Sequence, residues 1–182
     1  MTGDRLKFSD VFSVLNDMRA KGVIGKYAVG GASAVAFYAE PIATKDLDIF
    51  FLFEPPQETA ILSLESIYKY CRENGLTYDH EFISIRGWLV QFVECGNDPL
   101  WRDALANAIR FSFEGGTIDV LSPEHLAAMW AVVARPKDIL KIQHFAESGV
   151  LDPDRLKEIL VRFDLLNTWQ KMQGGLSDEC RF

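Results

Sequence analysis

The sequence lacks the features of a membrane-spanning, secreted or zinc-binding protein. Its three cysteines, Cys71, Cys95 and Cys180, are widely spaced and match neither a zinc pattern nor a CxxC redox pair. No apolar stretch reaches the roughly 18 residues that a membrane-spanning helix needs, and the opening segment MTGDRLKFSD contains no apolar signal core. We therefore expect a cytoplasmic protein without a membrane partner.

Positive charge is also scarce. Lysine and arginine total 19 against 26 aspartates and glutamates, which gives a formal net charge of −7. Because neutralising phosphates requires clustered lysine and arginine, this balance argues against a broad nucleic-acid-binding face, although it is compatible with a small basic pocket. Hydrophobic residues make up 48% of the 182 residues, and this length suits one compact unit with a substantial core.

Hydrophobic patterns predict alternating strands and helices in the first two thirds of the chain. Apolar runs predict strands near 26–30, 47–53 and 88–94, which we place in one sheet. The second run is continuously apolar after its acids, which is typical of a central strand buried on both faces. The segments TYDHEFISI and GWLVQFVEC are expected to form a hairpin that turns at Arg86-Gly87.

The segments ASAVAFYAE and DPLWRDALANAIR are predicted to be helical, and GGTIDVLS to contain a short strand. Beyond Ser122 the chain is predicted to be helical, with Ser122 and Asp152 as N-caps that proline follows. We thus expect an α/β (α+β) fold: a small mixed sheet flanked by helices, with a C-terminal helical bundle. The expected divisions are a core, 1–122, a helical region packed on it, 123–172, and a loose tail, 173–182.

Two aspartates stand at the start of the predicted central strand, in the segment TKDLDIFFLF. Because successive side chains of a strand point to opposite faces, Asp46 and Asp48 share one face and Leu47 lies on the other. Two neighbouring carboxylates repel each other unless a cation neutralises them, and Mg²⁺ prefers a few carboxylates completed by water and phosphate oxygens. The DxD pattern alone is more often an acidic strand end open to water, but the segment upstream favours a metal site.

That upstream segment contains a glycine pair between a predicted strand and a predicted helix. Without Cβ atoms, Gly30 and Gly31 let the backbone approach a ligand closely, and N–H groups at a helix start attract phosphate. Ser33 can cap the helix or hydrogen-bond a phosphate. The succession of strand, GG-x-S, helix, T-x-D-x-D and strand is far more specific than either half.

The segment GGASAVAFYAEPIATKDLDIFF resembles the signature of the minimal nucleotidyltransferase superfamily, whose fold DNA polymerase β and the CCA-adding enzymes share. The segments WLVQFVECGNDPLWRDALANAI, VLSPEHLAAMWAVVARPKD and LDPDRLKEILVRFDL are similar to AbiEii-type toxins and related uncharacterised bacterial nucleotidyltransferase-like proteins. The resemblance spans most of residues 24–166. It implies the nucleotidyltransferase fold.

The resemblance also implies roles for particular residues. A nucleoside triphosphate would be held by Gly30, Gly31 and Ser33, with Thr44 beside it in the T-x-D-x-D signature. The catalytic residues would be Asp46 and Asp48, which would bind Mg²⁺ or Mn²⁺. The implied reaction transfers a nucleoside monophosphate to a hydroxyl and releases pyrophosphate, and such an in-line displacement needs mainly positioning and charge neutralisation.

The superfamily carries a third metal-binding carboxylate on a later strand. The strand WLVQFVEC offers Gln91 at that position, and its carbonyl oxygen can contact a metal but brings no charge. Asp119, in the segment TIDVL, is the second candidate. Glu94 stands three residues after Gln91 and is expected on the opposite face. Ile42 occupies the position where related toxins often carry an arginine.

The segment ARPKDILK supplies Arg135, Lys137, Lys141 and Asp138 around a predicted helix start. In similar proteins an R-x-K-D motif lies near the active cleft, which implies that Lys137 binds the nucleotide. A solvated helix terminus, with Asp138 favoured by the helix dipole, accounts for the same residues.

Two functions are compatible with these features. The first is a Mg²⁺-dependent nucleotidyltransferase of a toxin–antitoxin or phage-defence pair, acting on a tRNA, protein or small-molecule acceptor and bound by an antitoxin protein. The second is a nucleotide- or partner-binding module that kept the fold and lost turnover. The uncharged Gln91 favours the second function, whereas the intact glycine pair and the acid pair favour the first.

Overall fold

The structure, a computed structural model, describes residues 8–54, 60–113 and 116–173. Its strands are β1 (Tyr27–Val29), β2 (Asp46–Phe51), β3 (Thr77–Asp79), β4 (Phe82–Ile85), β5 (Trp88–Glu94), β6 (Ile109–Phe113) and β7 (Gly116–Val120). Its α-helices are α1 (Phe8–Ala20), α2 (Ala60–Glu73), α3 (Pro99–Ala106), α4 (Pro123–Val133), α5 (Pro136–Glu147), α6 (Pro153–Arg162) and α7 (Leu166–Gln173). None of the helices in these ranges is both long and apolar enough to cross a bilayer.

All seven strands form one mixed sheet, in the order β3-β4-β5-β2-β1-β7-β6. The three strands predicted near 26–30, 47–53 and 88–94 are confirmed as β1, β2 and β5 of this sheet. Strand β2 lies at its centre, antiparallel to β1 and parallel to β5. Its side chains from Ile49 to Phe51 are buried, as expected for a strand covered on both faces. The mixed sheet and its flanking helices confirm the predicted fold class.

The hairpin predicted at Arg86-Gly87 is present as β4 and β5. The segment before it holds a further strand, β3, which pairs with β4 around His80 and Glu81. His80 adopts a positive φ of 54° in that turn. The sequence pattern did not show this break because the exposed residues of β3 have no apolar alternation.

The helix predicted over ASAVAFYAE is only a five-residue 3₁₀ helix, Ser33–Phe37. Its N–H groups donate to carbonyls three residues back, as from Tyr38 to Val35 at 3.0 Å. Tyr38 follows it as the C-cap, and the Tyr38 hydroxyl donates to the carbonyl of Leu121 at 2.9 Å, which anchors the ring at the junction of β7 and α4. This tertiary contact overrides the helical propensity of the alanines.

The predicted helix DPLWRDALANAIR also ends early, at Ala106. The residues that follow form β6, an edge strand antiparallel to β7. Phe111 and Phe113 alternate there with Arg110 and Ser112, and this period of two is the signal that the helical interpretation missed.

The C-terminal helices pack around α4, which is buried over nine consecutive residues from Pro123 to Ala131. Helices α5, α6 and α7 all contact it, as does α3. The predicted N-caps are confirmed: Ser122 accepts from the N–H of His125, and Asp152 accepts from those of Asp154 and Arg155. The predicted tail lies outside the described residues except for position 173, where α7 ends.

Candidate active site

A cleft of about 600 Å³ lies between the sheet at β2 and β5 and the helices α3, α4 and α5. This volume falls within the range of small-molecule sites in proteins. The sheet contributes Asp46, Asp48 and Phe50 from β2, and Gln91 and Val93 from β5. The strands therefore supply one wall of the cleft, which we call the sheet wall.

The register of β2 and β5 arranges this wall in rows. Asp48 is paired with Gln91, and Phe50 with Val93. Since alternate residues of a strand share a face, Asp46, Asp48 and Phe50 point into the cleft while the intervening side chains enter the core. The structure therefore brings Gln91, the residue predicted at the position of a third carboxylate, beside Asp48.

The environment of Asp48 opposes its ionisation. Burial raises the pKa of this half-buried carboxyl, and the neighbouring charge of Asp46 raises the pKa further. Lys141, Lys137 and the backbone N–H of Ala32 oppose the rise but do not cancel it. A bound cation would relieve this strain by stabilising the charged form.

Thr44 lines the cleft just before the acids. Its hydroxyl donates to the Asp46 carboxylate at 2.8 Å. A hydrogen bond to an ionised carboxylate holds that carboxylate in one orientation. Thr44 therefore fixes Asp46, in addition to any contact with a nucleotide.

The glycine turn packs directly against this acid pair. Gly31 has a φ of +56°, and a Cβ at this position would overlap the Asp48 carboxylate. A Cβ at Gly30 would overlap the ring of Phe50. Of the two glycines, Gly31 lines the cleft. Gly31 must therefore lack a side chain for Asp48 to occupy its position.

Ser33 does not line the cleft. Its side chain is buried, and its hydroxyl donates to the carbonyl of Gly30 at 3.0 Å. The expectation that Ser33 caps the helix is wrong, because Ala32 occupies the N-cap position without a side-chain capping hydrogen bond and Ser33 instead donates back to Gly30. The five-residue 3₁₀ helix that follows also lacks the long row of aligned peptides that attracts phosphate to a helix start.

Four cations line the cleft: Lys45, Arg135, Lys137 and Lys141. Arg135, Lys137 and Lys141 lie at or near the start of α5, and we call this side of the cleft the helix wall. Arg135 donates to Asp138 through Nε at 2.6 Å and through Nη2 at 3.2 Å. Lys141 Nζ lies 2.7 Å from Oδ1 of Asp138, the oxygen that also accepts from Arg135 Nη2, and 4.6 Å from the ring centre of Trp130. The helix wall therefore presents positive charge to the acids of the sheet wall.

Burial alone would raise the pKa of Asp138, but hydrogen bonds from Arg135 and Lys141 outweigh it, so the pKa lies below its ordinary value. The side chain of Asp138 is fully buried. The solvated helix terminus considered above is therefore wrong for this residue.

Asp119 lies outside the cleft. It accepts from Arg110 through both oxygens, at 2.8 and 3.1 Å, across the β6–β7 pair. It lines a separate cavity with residues of α1, including Asn16 and Arg19. Glu94 does not line the cleft either, and it accepts from the N–H of Gly96 at 2.7 Å. The structure thus brings Gln91, and neither of these acids, to Asp48.

The donor set at the acids fits a hard cation that keeps open positions. In the part of the chain that the structure describes, no three His, Cys, Asp or Glu side chains are grouped as a closed metal site. Asp46 and Asp48 supply two carboxylates, and Gln91 adds an amide oxygen. Two carboxylates completed by phosphate and water oxygens suit Mg²⁺, whereas zinc prefers histidine and cysteine.

Sequence reasoning missed the apolar part of the cleft. Leu126, Met129, Trp130 and Val133 of α4 line it together with Trp101 of α3. The four positions on α4 follow the spacing i, i+3, i+4 and i+7, which defines one helix face. That spacing was visible in the sequence, but nearly all of α4 is buried, so the pattern could not show which face borders a cavity.

Neither a family model nor a curated protein sequence matches the chain. Its fold, however, is similar to solved structures. The crystal structure of ANT(2″)-Ia in complex with adenylyl-2″-tobramycin matches with a TM-score of 0.51 and 13% identity, over 85% of this chain and 95% of that one. The solution structure of the antibiotic-resistance factor ANT(2″)-Ia matches with a TM-score of 0.52 and 12% identity, over 92% and 96% of the two chains.

A third similar structure is an antigenic nucleotidyltransferase-like protein from Paracoccidioides brasiliensis. It matches with a TM-score of 0.51 and 14% identity, over 94% of this chain and 95% of that one. Likeness at this level of identity concerns the arrangement of the backbone, and both proteins are matched over almost their whole length. The chain therefore has the nucleotidyltransferase fold.

Proposed function

We propose that this protein is a Mg²⁺-dependent nucleotidyltransferase that transfers a nucleoside monophosphate from a nucleoside triphosphate to a hydroxyl group. The observation that carries the proposal is that one cleft is lined by a pair of acids on the sheet wall and by cations on the helix wall. Asp46 and Asp48 lie side by side on β2, and the cations of the helix wall are close enough to Asp48 to shift its pKa. Paired acids and cations are the combination that a metal-bound triphosphate requires.

Asp46 and Asp48 would hold the metal ion, with Gln91 beside them as a neutral oxygen donor. Mg²⁺ bound there would neutralise phosphate charge and orient the reacting groups in line. Thr44 keeps the Asp46 carboxylate oriented, and the bare backbone at Gly31 leaves room for Asp48. Each of these contacts positions the acids before a substrate arrives, which is how such a site accelerates phosphoryl chemistry.

Lys137 would bind the triphosphate from the helix wall. In residues 8–54, 60–113 and 116–173, no ion pair uses its ammonium group. It lines the cleft and is exposed, so it can reach a polyanion. A local excess of cations would offset the −7 charge of the whole chain for an anionic substrate.

The acceptor in this proposal is a hydroxyl compound. One similar structure is a complex of ANT(2″)-Ia with adenylyl-2″-tobramycin. That complex supports a small-molecule acceptor here, with tRNA and protein as the other acceptor classes. We extend the proposal to a cytoplasmic toxin or phage-defence component with an antitoxin partner, and this extension rests only on the resemblance of sequence segments to AbiEii-type toxins.

A second candidate function is a nucleotide-binding module without turnover. The observation that favours it is the amide of Gln91 in the row of Asp48. Gln91 can contact a metal but cannot accept the proton of an attacking hydroxyl. In that case the cleft would bind a nucleotide and the protein would act through a partner.

The deciding experiment is incubation of the protein with each of the four labelled nucleoside triphosphates, Mg²⁺ and cell extract. Transfer predicts a labelled acceptor in one nucleotide lane, lost when EDTA is added. A parallel titration of unlabelled nucleotide, followed by melting temperature, measures binding alone. Binding without label supports the module, and the absence of both binding and label contradicts both functions.

A further inference from the structure

We propose that Asp138 is a positioning residue that holds Arg135 and Lys141 as a preformed receptor for the terminal phosphates of the nucleotide. The inference deepens the proposed function, on which it rests, by naming the part of the substrate that these cations receive. It assigns no contact with substrate to Asp138 itself.

The geometry around Asp138 is a closed arrangement of one acid and two cations. Arg135 donates to both oxygens of the carboxylate, and Lys141 contacts one of these oxygens, Oδ1, at 2.7 Å. The exposed fraction of the side chain is 0% for Asp138, 9% for Lys141 and 54% for Arg135. The acid is therefore sealed beneath cations that themselves border the cleft.

The cations keep donors for a second partner. A guanidinium group has five N–H donors and an ammonium group has three. Asp138 takes two from Arg135 and one from Lys141. The unused donors belong to side chains that line the cleft, so they are available to phosphate oxygens. Three cations against one buried acid leave the helix wall with net positive charge.

A role in folding alone does not account for this arrangement. Placing charges in a protein interior costs desolvation energy, and apolar residues of similar volume often serve stability equally well. Asp138 is also not the N-cap of α5, because that position belongs to Arg135, which makes no capping hydrogen bond through its side chain. The arrangement is explained if Asp138 orders the two long cationic side chains before a ligand binds.

Ordering matters because a free arginine or lysine side chain loses much rotamer entropy when it binds a ligand. Arg135 is half exposed, so its contact with Asp138 is what restricts it. Lys141 is held between Asp138 and the ring of Trp130. A preformed pair of cations can contact adjacent phosphates of a polyphosphate at the same time. A single phosphate should gain less binding affinity from the pair.

The test uses inorganic tripolyphosphate and orthophosphate as probes, each titrated calorimetrically into the full protein in the presence of Mg²⁺. We expect the wild type to prefer tripolyphosphate. The variant Asp138→Asn should bind tripolyphosphate about tenfold more weakly while orthophosphate binding changes little, and Asp138→Glu should recover part of the preference. The matched control is Asp119→Asn, which breaks a similar bidentate pair with Arg110 outside the cleft and should behave as wild type.

A folding defect would lower the active fraction without changing the ratio of the two affinities. If Asp138→Asn does not fold, Arg135→Gln replaces it, since this half-exposed side chain can change at little cost, and the same loss of preference is expected. An unchanged ratio in the folded variants overturns the inference, as does a wild type that does not prefer tripolyphosphate. Polyphosphate binding requires no transfer, so a retained preference with no labelled acceptor would count against the proposed enzyme alone.

Discussion

The two walls of the cleft hold their charges by different means. On the sheet wall, the register of β2 fixes Asp46 and Asp48, and no salt bridge in the described part of the chain involves either carboxylate. On the helix wall, Asp138 lies in contact with both of its cations and is fully buried. The carboxylate of Asp138 is thus neutralised by cations of its own wall, whereas the neighbouring charge of Asp46 opposes the ionisation of Asp48 on the sheet wall. The difference supports the proposal that a metal ion completes the sheet wall.

Removing both acids tests the sheet wall and should have the largest effect. Asp46→Asn with Asp48→Asn should lower nucleotidyl transfer on the order of 10³-fold, since each carboxylate neutralises charge that nothing else on that wall supplies. The rise in melting temperature with Mg²⁺ should also disappear. The control is Glu94→Gln, which removes a carboxylate from the end of β5 outside the cleft. A Mg²⁺ response that survives in the double variant would contradict the assignment of the acids.

Asp138→Asn should show that the helix wall depends on its buried ion pairs for stability. Breaking a buried ion pair leaves uncompensated charge, so this variant should lose about 3 kcal/mol of unfolding free energy. Asp119→Asn should lose only a small part of that, because Arg110 is largely exposed and can be solvated. Urea unfolding of both variants measures the difference. Equal losses would mean that Asp138 is no more closely held than an ordinary surface pair.

The sequence was most informative where the structure depends on local spacing. The shared face of Asp46 and Asp48 could be predicted from the period of two in a strand. The glycine turn could be predicted from its position at the end of the preceding strand. Gly30 and Gly31 were expected to admit a ligand. In the structure they also make room for Phe50 and Asp48, a contact between residues distant along the chain that local pattern cannot show.

The arrangement of the helix wall depends on the packing of α5 on α4, and no local sequence pattern predicts that packing. The segment ARPKDILK predicted cations at a helix start but left open whether Asp138 was solvated. In the structure Asp138 is buried in contact with Lys141, about one turn further on, whose ammonium group also lies over the ring of Trp130. Asp119 was a candidate because the segment TIDVL places an aspartate between apolar residues, but such a pattern does not show that the cross-strand partner of Asp119 is Arg110.

Gly31→Ala should disturb the sheet wall without changing its charge. The variant forces a side chain into a positive φ, which costs about 1 kcal/mol, and its Cβ must displace the Asp48 carboxylate. Gly149→Ala is a matched control, because Gly149 has a φ of +66° and open space around its Cβ position. Both variants should lose similar backbone stability, but only Gly31→Ala should weaken the Mg²⁺ response. A normal response in Gly31→Ala would show that Asp48 can move freely.

The raised pKa of Asp48 gives a pH test of the repulsion on the sheet wall. A carboxyl with a native pKa above its unfolded value of 3.8 binds its proton more tightly when folded. Stability therefore falls as pH rises from the unfolded value through the raised native value, and the loss persists at pH 7. Metal-free Asp48→Asn should melt a few degrees above wild type at pH 7 and show no such gain at pH 3. A gain that is independent of pH would assign the effect to packing.

The smallest expected effect concerns Gln91. Replacing it with aspartate would raise the number of carboxylates beside the proposed metal from two to three. Its pairing with Asp48 on the neighbouring strand puts a carboxylate from Gln91→Asp within about 5 Å of the acid pair. Mg²⁺ should then bind about threefold to tenfold more tightly, because the added charge outweighs the lost amide oxygen. Without metal the same variant should melt below wild type, since a third acid adds repulsion. Gln170→Asp, on the exposed side of α7, controls for the change in net charge. Unchanged or weaker Mg²⁺ binding in Gln91→Asp would place the metal away from β5 and leave Gln91 as an ordinary side chain of the sheet.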